Sequence, residues 1–174
     1  TLTIAPETGS EKVRRQLGKL LTDADILNTA SRAIEAGIPS LKLYFLAGVG
    51  DLLQDESGVS GESAAIVSLV REIAQRRQEK GSMVVGLSPL VPRYGTPLQS
   101  KPLPDRRHVQ QVISAVRHGL RDFSGISVRA GGWFEAATEW ILSHATAEMS
   151  ETLMRAGVDT QNRRAILAEE IAKR

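Results

Sequence analysis

The opening of the chain, TLTIAPETGSEKVRRQLGK, concentrates an acid, two hydroxyls and two guanidinium groups around one glycine: Glu7, Thr8, Gly9, Ser10, Arg14 and Arg15. Polar groups of this kind at the tip of a strand that leads into a helix are where small-molecule sites form in open and barrel α/β folds. Each also has a plain structural reading. Ser10 is a natural N-cap, Glu7 suits the positive end of the following helix, and Arg14 and Arg15 suit a solvated helix face. Farther on, Gly48 and Gly50 stand in AGVGD, where a turn explains them as well as a ligand does. The sequence has no GxxxxGK[ST] or GxGxxG phosphate loop. Arg93 and Tyr94 lie in a Pro- and Gly-containing loop, VPRYGTPLQ. The histidines, His108, His118 and His144, stand isolated, with no second metal-ligand type at productive spacing. No nucleophile-elbow pattern accompanies them.

The elements that position these residues follow a strand–corner–helix grammar. Residues 1–5 are β-branched and alternating, which predicts a strand, and Pro6 is expected to end its ladder for want of an N–H. Val13, Leu17 and Leu20 recur at helical spacing, so a helix is expected over 11–20. Thr22 and Asp25 make a capping-box start for a second helix over 22–36, stopped by Gly37. LKLYFL, 41–46, is almost continuously apolar and predicts a parallel strand buried on both faces. A polar loop over 54–62 leads to a helix over 63–80 whose last turn is rich in Arg and Lys. Residues 83–87 are the third strand. The order β-α-α-β-α-β predicts a parallel sheet. After residue 100 the pattern becomes α-rich: helices over 105–121, 133–143, 145–156 and 160–172, with one short strand at 126–129. The expected division is 1–100 and 101–174.

Composition sets the outer limits. The 174 residues suit one domain or a large piece of one, with 41% hydrophobic and 4% aromatic residues, so the core is built from Leu, Ile, Val and Ala. There is no cysteine, which excludes disulfides and thiolate-held metal within these residues. That is compatible with a cytoplasmic protein. No apolar run reaches membrane-spanning length. The net charge is +2, too small by itself to indicate nucleic acid. The chain lacks an initiator Met and opens inside a strand, so it is expected to be a fragment.

Three segments in series carry a family resemblance. APETGSEKVRRQLGK resembles the corner after the fourth strand of radical S-adenosylmethionine (SAM) enzymes. SLKLYFLAGVG resembles their fifth strand, and VVGLSPLVPRYGTPLQ their sixth with its Pro-Lys/Arg-x-x-Thr-Pro loop. The order is similar to that in the branch containing tRNA methylthiotransferases and the Elongator-type catalytic subunit, and to uncharacterised Fe–S oxidoreductase-like proteins that pair this domain with a cobalamin-binding-like one. The chain departs from that pattern after its second strand: GVGDLLQDESGVSGES replaces the family's Gly-Leu-Pro and Glu-Thr, with Glu62 as the candidate displaced acid. The resemblance implies the C-terminal half of a partial parallel (β/α) barrel carrying an α-rich extension. It implies S-adenosylmethionine as cofactor and a [4Fe–4S] cluster held by a Cys-x-x-x-Cys-x-x-Cys loop in an upstream half. Glu7 and Ser10 would then contact the ribose or methionyl amine, and Arg14 or Arg15 the methionyl carboxylate. Gly48 would admit the ligand closely, and the backbone over Leu87, Ser88 and Leu90 would meet the adenine edge. Arg93 and Tyr94 would face substrate. This chain alone would not be catalytic.

Two other readings stand beside it. The stretch 93–121 holds Arg93, Lys101, Arg106, Arg107, Arg117 and Arg121 against Asp105, so a non-catalytic binding or scaffold module could receive RNA phosphates there. A solvated helix face is the plain explanation of the same charges. The other is a different (β/α) enzyme using Glu7, Asp51 and Arg93. The expected partners are the upstream half of the same protein and a covering for the open sheet edge at the first strand, either a second copy or the tail helices. No membrane partner is expected.

Overall fold

The computed structural model describes residues 1–50, 58–77 and 81–173. Four strands, β1 (Leu2–Glu7), β2 (Ser40–Ala47), β3 (Ser82–Pro89) and β4 (Ile126–Ala130), form one sheet in the order β1-β2-β3-β4. Every neighbouring pair is parallel. Between the strands run α1 (Glu11–Gln16), α2 (Asp23–Glu35), α3 (Gly58–Arg77) and α4 (Arg106–Leu120). After β4 come α5 (Trp133–Ser143), a 3-10 turn (Ala147–Met149), α6 (Ser150–Val158) and α7 (Arg163–Ala172). The chain is an α/β fold with an all-parallel sheet and an α-rich C-terminal region.

Strand order has a direct consequence for the two faces. A doubly wound sheet reverses its order and places helices on both sides. Here the order never reverses, so right-handed crossovers put successive helices on the same side, as in the wall of a barrel. The register agrees. Leu2, Leu41, Met83 and Ile126 form one row across the sheet, and Ile4, Leu43, Val85 and Val128 the next on the same face. These rows pack with Phe45 and Leu87 against Ile26 and Leu27 of α2, Ile66 and Val70 of α3, and Val109, Val112 and Val116 of α4 in a single apolar core. On the other face Thr3, Tyr44, Ser88, Ser127 and Arg129 are exposed. The expectation that β2 is buried on both faces therefore fails: the core helices α2, α3 and α4 cover one face, while on the other Tyr44 is exposed and Leu46, at the strand's end, is partly covered by Val13 of α1 and its neighbours.

Other boundaries shifted for local reasons. Pro6 does not end β1; the pairing slips between Ile4 and Glu7 and resumes at Glu7 opposite Phe45. An edge strand can hold a proline this way, since one side of its backbone needs no partner. The capping box of α2 is present, with the Thr22 hydroxyl accepting from the Asp25 N–H at 3.1 Å and the Asp25 carboxylate accepting from the Thr22 N–H at 3.0 Å. Helix α1 ends at Gln16, followed by Gly18 at φ 76°. Helix α3 begins at Gly58, inside the stretch expected to be loop. The expected helix over 145–156 is a 3-10 turn followed by α6, which starts at Ser150.

The 101–174 stretch is not confined to an appendage: α4 contributes Val109, Val112 and Val116 to the core, and β4 is the fourth strand. Helix α5 packs on β3 and α4, and α7 on α5 and α6. These tail helices thus gather toward the β4 side. At the opposite edge β1 has β2 as its strand neighbour, and Thr1 and Thr3 are exposed.

Candidate functional site

Because the strands are parallel, their C-terminal ends share one edge, and the sequence-selected residues Glu7, Ser10, Gly48, Ser88 and Leu90 lie on or just beyond it. The first corner is built around Arg14. Its side chain is 0% exposed. Nε donates to the Leu21 carbonyl at 2.8 Å, one terminal nitrogen to the Thr8 carbonyl at 2.8 Å, and the other to the Asp23 carboxylate. A guanidinium so enclosed ties the β1 corner to the start of α2 and has no face left for a ligand carboxylate. Arg15, by contrast, is 64% exposed and pairs with Glu11 one turn back at 2.8 Å. Ser10 caps α1 by accepting the Val13 N–H at 3.4 Å, and its hydroxyl proton stays free to be donated. Glu7 sits at φ 68°, a left-handed conformation uncommon for a residue with a side chain, and its carboxylate accepts from Lys19 Nζ at 2.8 Å. The Asp23 N–H, with Arg15 adding to it, holds the Glu11 carboxyl below its ordinary value.

The second corner holds the most elaborate polar arrangement at this edge. The Glu62 side chain, 3% exposed, reaches from α3 to the turn after β2. One carboxylate oxygen accepts the N–H of Gly48 at 2.8 Å and of Val49 at 3.3 Å; the other accepts the N–H of Gly50 at 3.0 Å. The same second oxygen lies 3.0 Å from His108 Nε2, which α4 brings in. Three consecutive backbone donors thus form a nest around an internal anion. Gly48, at φ 96°, has Pro104 where a Cβ would be, 2.6 Å away. Its freedom serves this turn, and its N–H is already taken. His108 is not isolated: it meets a carboxylate 46 residues away in sequence. The sequence named Glu62 only as a displaced acid and missed its partner, since neither residue carries a local spacing signal for the other. Asp51 lies outside the described residues.

The third corner is also largely committed. The Leu87 side chain is buried in the core, and its carbonyl accepts the Gly131 N–H at 2.9 Å. The Leu90 N–H donates to the Ala47 carbonyl at 2.9 Å, and its side chain packs with Val13, Val49 and Leu98 in a small second cluster. Those backbone groups are therefore not available to an adenine edge. Ser88 points instead to the open face of the sheet and is exposed. Arg93 pairs with Glu139 of α5, and Tyr94, 70% exposed, lies 4.8 Å from the His144 ring. The substrate-side pair is thus folded against α5. Of the residues selected from sequence, Glu7, Ser10, Arg15 and Ser88 among the cofactor set, and Arg93 and Tyr94 on the substrate side, keep side-chain groups that solvent reaches.

A cavity of about 880 Å³ lies elsewhere, between α4, α5 and α7, lined among others by Arg106, Gln110, Trp133, Phe134, Asn162 and Arg164. None of the strand-tip residues lines it. Among the described residues, no group of three or more His, Asp or Glu side chains is placed to hold a metal ion. No helix there is long and apolar enough to cross a membrane.

Fold and edge together define a parallel β/α protein with polar groups gathered at the C-terminal ends of its strands. The chain is similar to the uncharacterized protein MJ0966 of Methanocaldococcus jannaschii, with 23% identity over 155 residues, which is 88% of this chain and 32% of the relative. The chain therefore spans about a third of that relative's length. No family model and no solved structure matches it.

Proposed function

We propose that the chain is the C-terminal half of a radical S-adenosylmethionine domain and contributes part of the nucleoside side of the cofactor site. The observation that carries this reading is the sheet: four parallel strands in unreversed order, the core helices α2, α3 and α4 on one face, and polar corners at the carboxyl edge. A segment of barrel wall has this form. The cofactor fits the edge in part. Glu7, Ser10 and Ser88 offer acceptors and donors for a ribose or amine, and Arg15 a cation for a carboxylate. Arg14, Gly48, Leu87 and Leu90 are occupied within the protein. A [4Fe–4S] cluster would donate one electron to S-adenosylmethionine and cleave one of its C–S bonds, the radical chemistry that would remove hydrogen from a substrate. The cluster's cysteines belong to an upstream half, which is also the partner we assign to the free edge of β1. A cytoplasmic setting goes with this reading.

The test is the full-length gene product. It should carry a Cys-x-x-x-Cys-x-x-Cys loop before Thr1, show a [4Fe–4S] signal by electron paramagnetic resonance after anaerobic reconstitution, and release 5′-deoxyadenosine from S-adenosylmethionine. A full-length sequence without that loop refutes the proposal.

One observation favours a non-catalytic RNA-contacting module as the second reading: Arg106, Arg107, Arg117 and Arg121 are all exposed along α4 and its end. Fluorescence anisotropy with a structured RNA separates the two. Affinity that falls steeply with salt and drops on Arg107→Ala and Arg117→Ala supports that module.

A further inference from the structure

The cavity between α4, α5 and α7 is separate from the strand-tip site. Its volume, about 880 Å³, is that of a small-molecule site, and such sites form between packed helices. Among the described residues, none of β1 to β4 lines it. Its walls come from elements that all follow β3, whereas the upstream strands of the proposed barrel would continue the sheet from β1, at the opposite edge.

One wall is apolar and flat. Ala165, Ala168 and Ala172 recur three and four residues apart on α7, so they share one face over about 10 Å of helix. Helix α7 packs on α5 and α6, and these small side chains leave the space toward α4 open. Trp133 lines the same cavity from α5, and its indole N–H donates to the Pro104 carbonyl at 3.1 Å, which fixes the ring. Three charged side chains complete the lining: Arg106, Glu135 and Arg164. Glu135, in the first turn of α5, folds back over Gly132 into the space a Cβ there would need. An acid so placed complements the positive end of its own helix. The Arg164 guanidinium lies over the Phe134 ring, 4.6 Å from its centroid. Among the described residues neither Arg106 nor Arg164 has a carboxylate within ion-pair distance. A guanidinium stacked on a ring keeps its fork of donors at the edge, where a carboxylate is received.

We infer that this cavity binds a planar aromatic carboxylate, its ring against Trp133 and the alanine face of α7 and its carboxylate on Arg164 and Arg106. Two arginines against one glutamate leave a single net positive charge in the lining, which suits a monoanion better than a phosphate dianion. The flat alanine face and the fixed indole suit a ring better than a flexible chain, whose ordering costs more entropy. The assignment uses no part of the radical chemistry proposed above, and either can fail alone.

The test titrates the full-length gene product by calorimetry with 2-naphthoate, its neutral amide 2-naphthamide and the chain carboxylate decanoate, after circular dichroism shows that each variant is folded. Naphthoate should bind about tenfold or more tighter than either of the others. Arg106→Gln combined with Arg164→Gln should remove the preference for naphthoate over the amide while the amide binds as before. Ala168→Phe, made at an exposed position of α7, fills the cavity and should weaken both aromatic ligands by about tenfold or more. Ala168→Ser keeps the space and should bind like the parent. Ala172→Leu, filling the cavity from the next turn, serves if Ala168→Phe does not fold. The inference is overturned if naphthoate does not bind or binds no better than the amide, if decanoate binds as tightly, or if the double arginine variant or the filled cavity binds like the parent.

Discussion

Replacing Glu62 tests how the carboxyl edge is held. Its carboxylate accepts from Gly48 at 2.8 Å and Gly50 at 3.0 Å, with a longer contact to Val49 at 3.3 Å. Gly48, Val49 and Gly50 are all buried. Glu62→Ala removes the acceptor and leaves the first two N–H groups without one. A buried donor left unsatisfied costs about 1–3 kcal/mol, so the two together cost about 2–6 kcal/mol. Glu62→Gln keeps one carbonyl oxygen for Gly48 and Val49 but turns an amide N–H₂ toward Gly50 or His108, losing about 2 kcal/mol. Against a total stability of about 5–15 kcal/mol, the alanine variant is folded but strongly weakened. Urea denaturation followed by circular dichroism measures both. His108→Ala, combined with Glu62→Gln, should give non-additive losses because the two side chains touch. A Glu62→Ala loss below about 1 kcal/mol, at an unchanged dependence on urea, would refute the claim that this carboxylate organises the turn.

Arg14 gives a parallel case at the first corner. Arg14→Ala should cost about 2–6 kcal/mol in the same assay, chiefly because it strips the donor from the Thr8 and Leu21 carbonyls; Asp23, half exposed, is rehydrated. Arg14→Lys should recover only part of this, since an ammonium cannot reproduce the fork of donors. The Asp25 carboxyl is held below its ordinary value of 3.8 by hydrogen bonds from the Thr22 hydroxyl and N–H. A folded value that is depressed contributes stability above the unfolded value, and that contribution is lost as pH falls through the folded one. The protection of amides at the start of α2, taken relative to unfolded-chain exchange at the same pH, should therefore fall at acid pH, and Asp25→Asn should remove that pH step. At the β1 corner Glu7→Gly should relieve the left-handed backbone but lose the ion pair with Lys19. The net change in the urea midpoint should be small, and a loss above about 2 kcal/mol would mean that the pair dominates.

Much of the fold was legible because it rests on local chemistry. The Ser10 cap and the Thr22–Asp25 box are contacts within three residues, and the alternation of strands with helices announces a parallel sheet. The helix over 105–121 was equally readable, and it is α4 at Arg106–Leu120. What failed was anything that depends on who lies opposite. LKLYFL reads as doubly buried because its run is apolar, yet which face meets helices is set by strand order and crossover hand. The strand at β4 looked like part of a tail until pairing with β3 made it part of the sheet.

The site divides along the same line. The residues Glu7, Ser10, Arg14, Arg15, Gly48 and Ser88 stand out by type, and their gathering at one edge follows from a parallel sheet. Which of them remain free is a matter of competing partners. Arg14 and Arg15 are adjacent and chemically identical, yet one is sealed between Thr8, Leu21 and Asp23 while the other faces solvent. Glu62 meets His108 only because α3 and α4 pack side by side, and Tyr44 covers Gly86 only because β2 and β3 align in register. Sequence alone determined the elements and the kinds of group available, because caps, turns and periodicity act over a few residues. Tertiary structure decided which groups are spent on the fold and which face outward, because burial and hydrogen-bond competition are settled between segments distant along the chain.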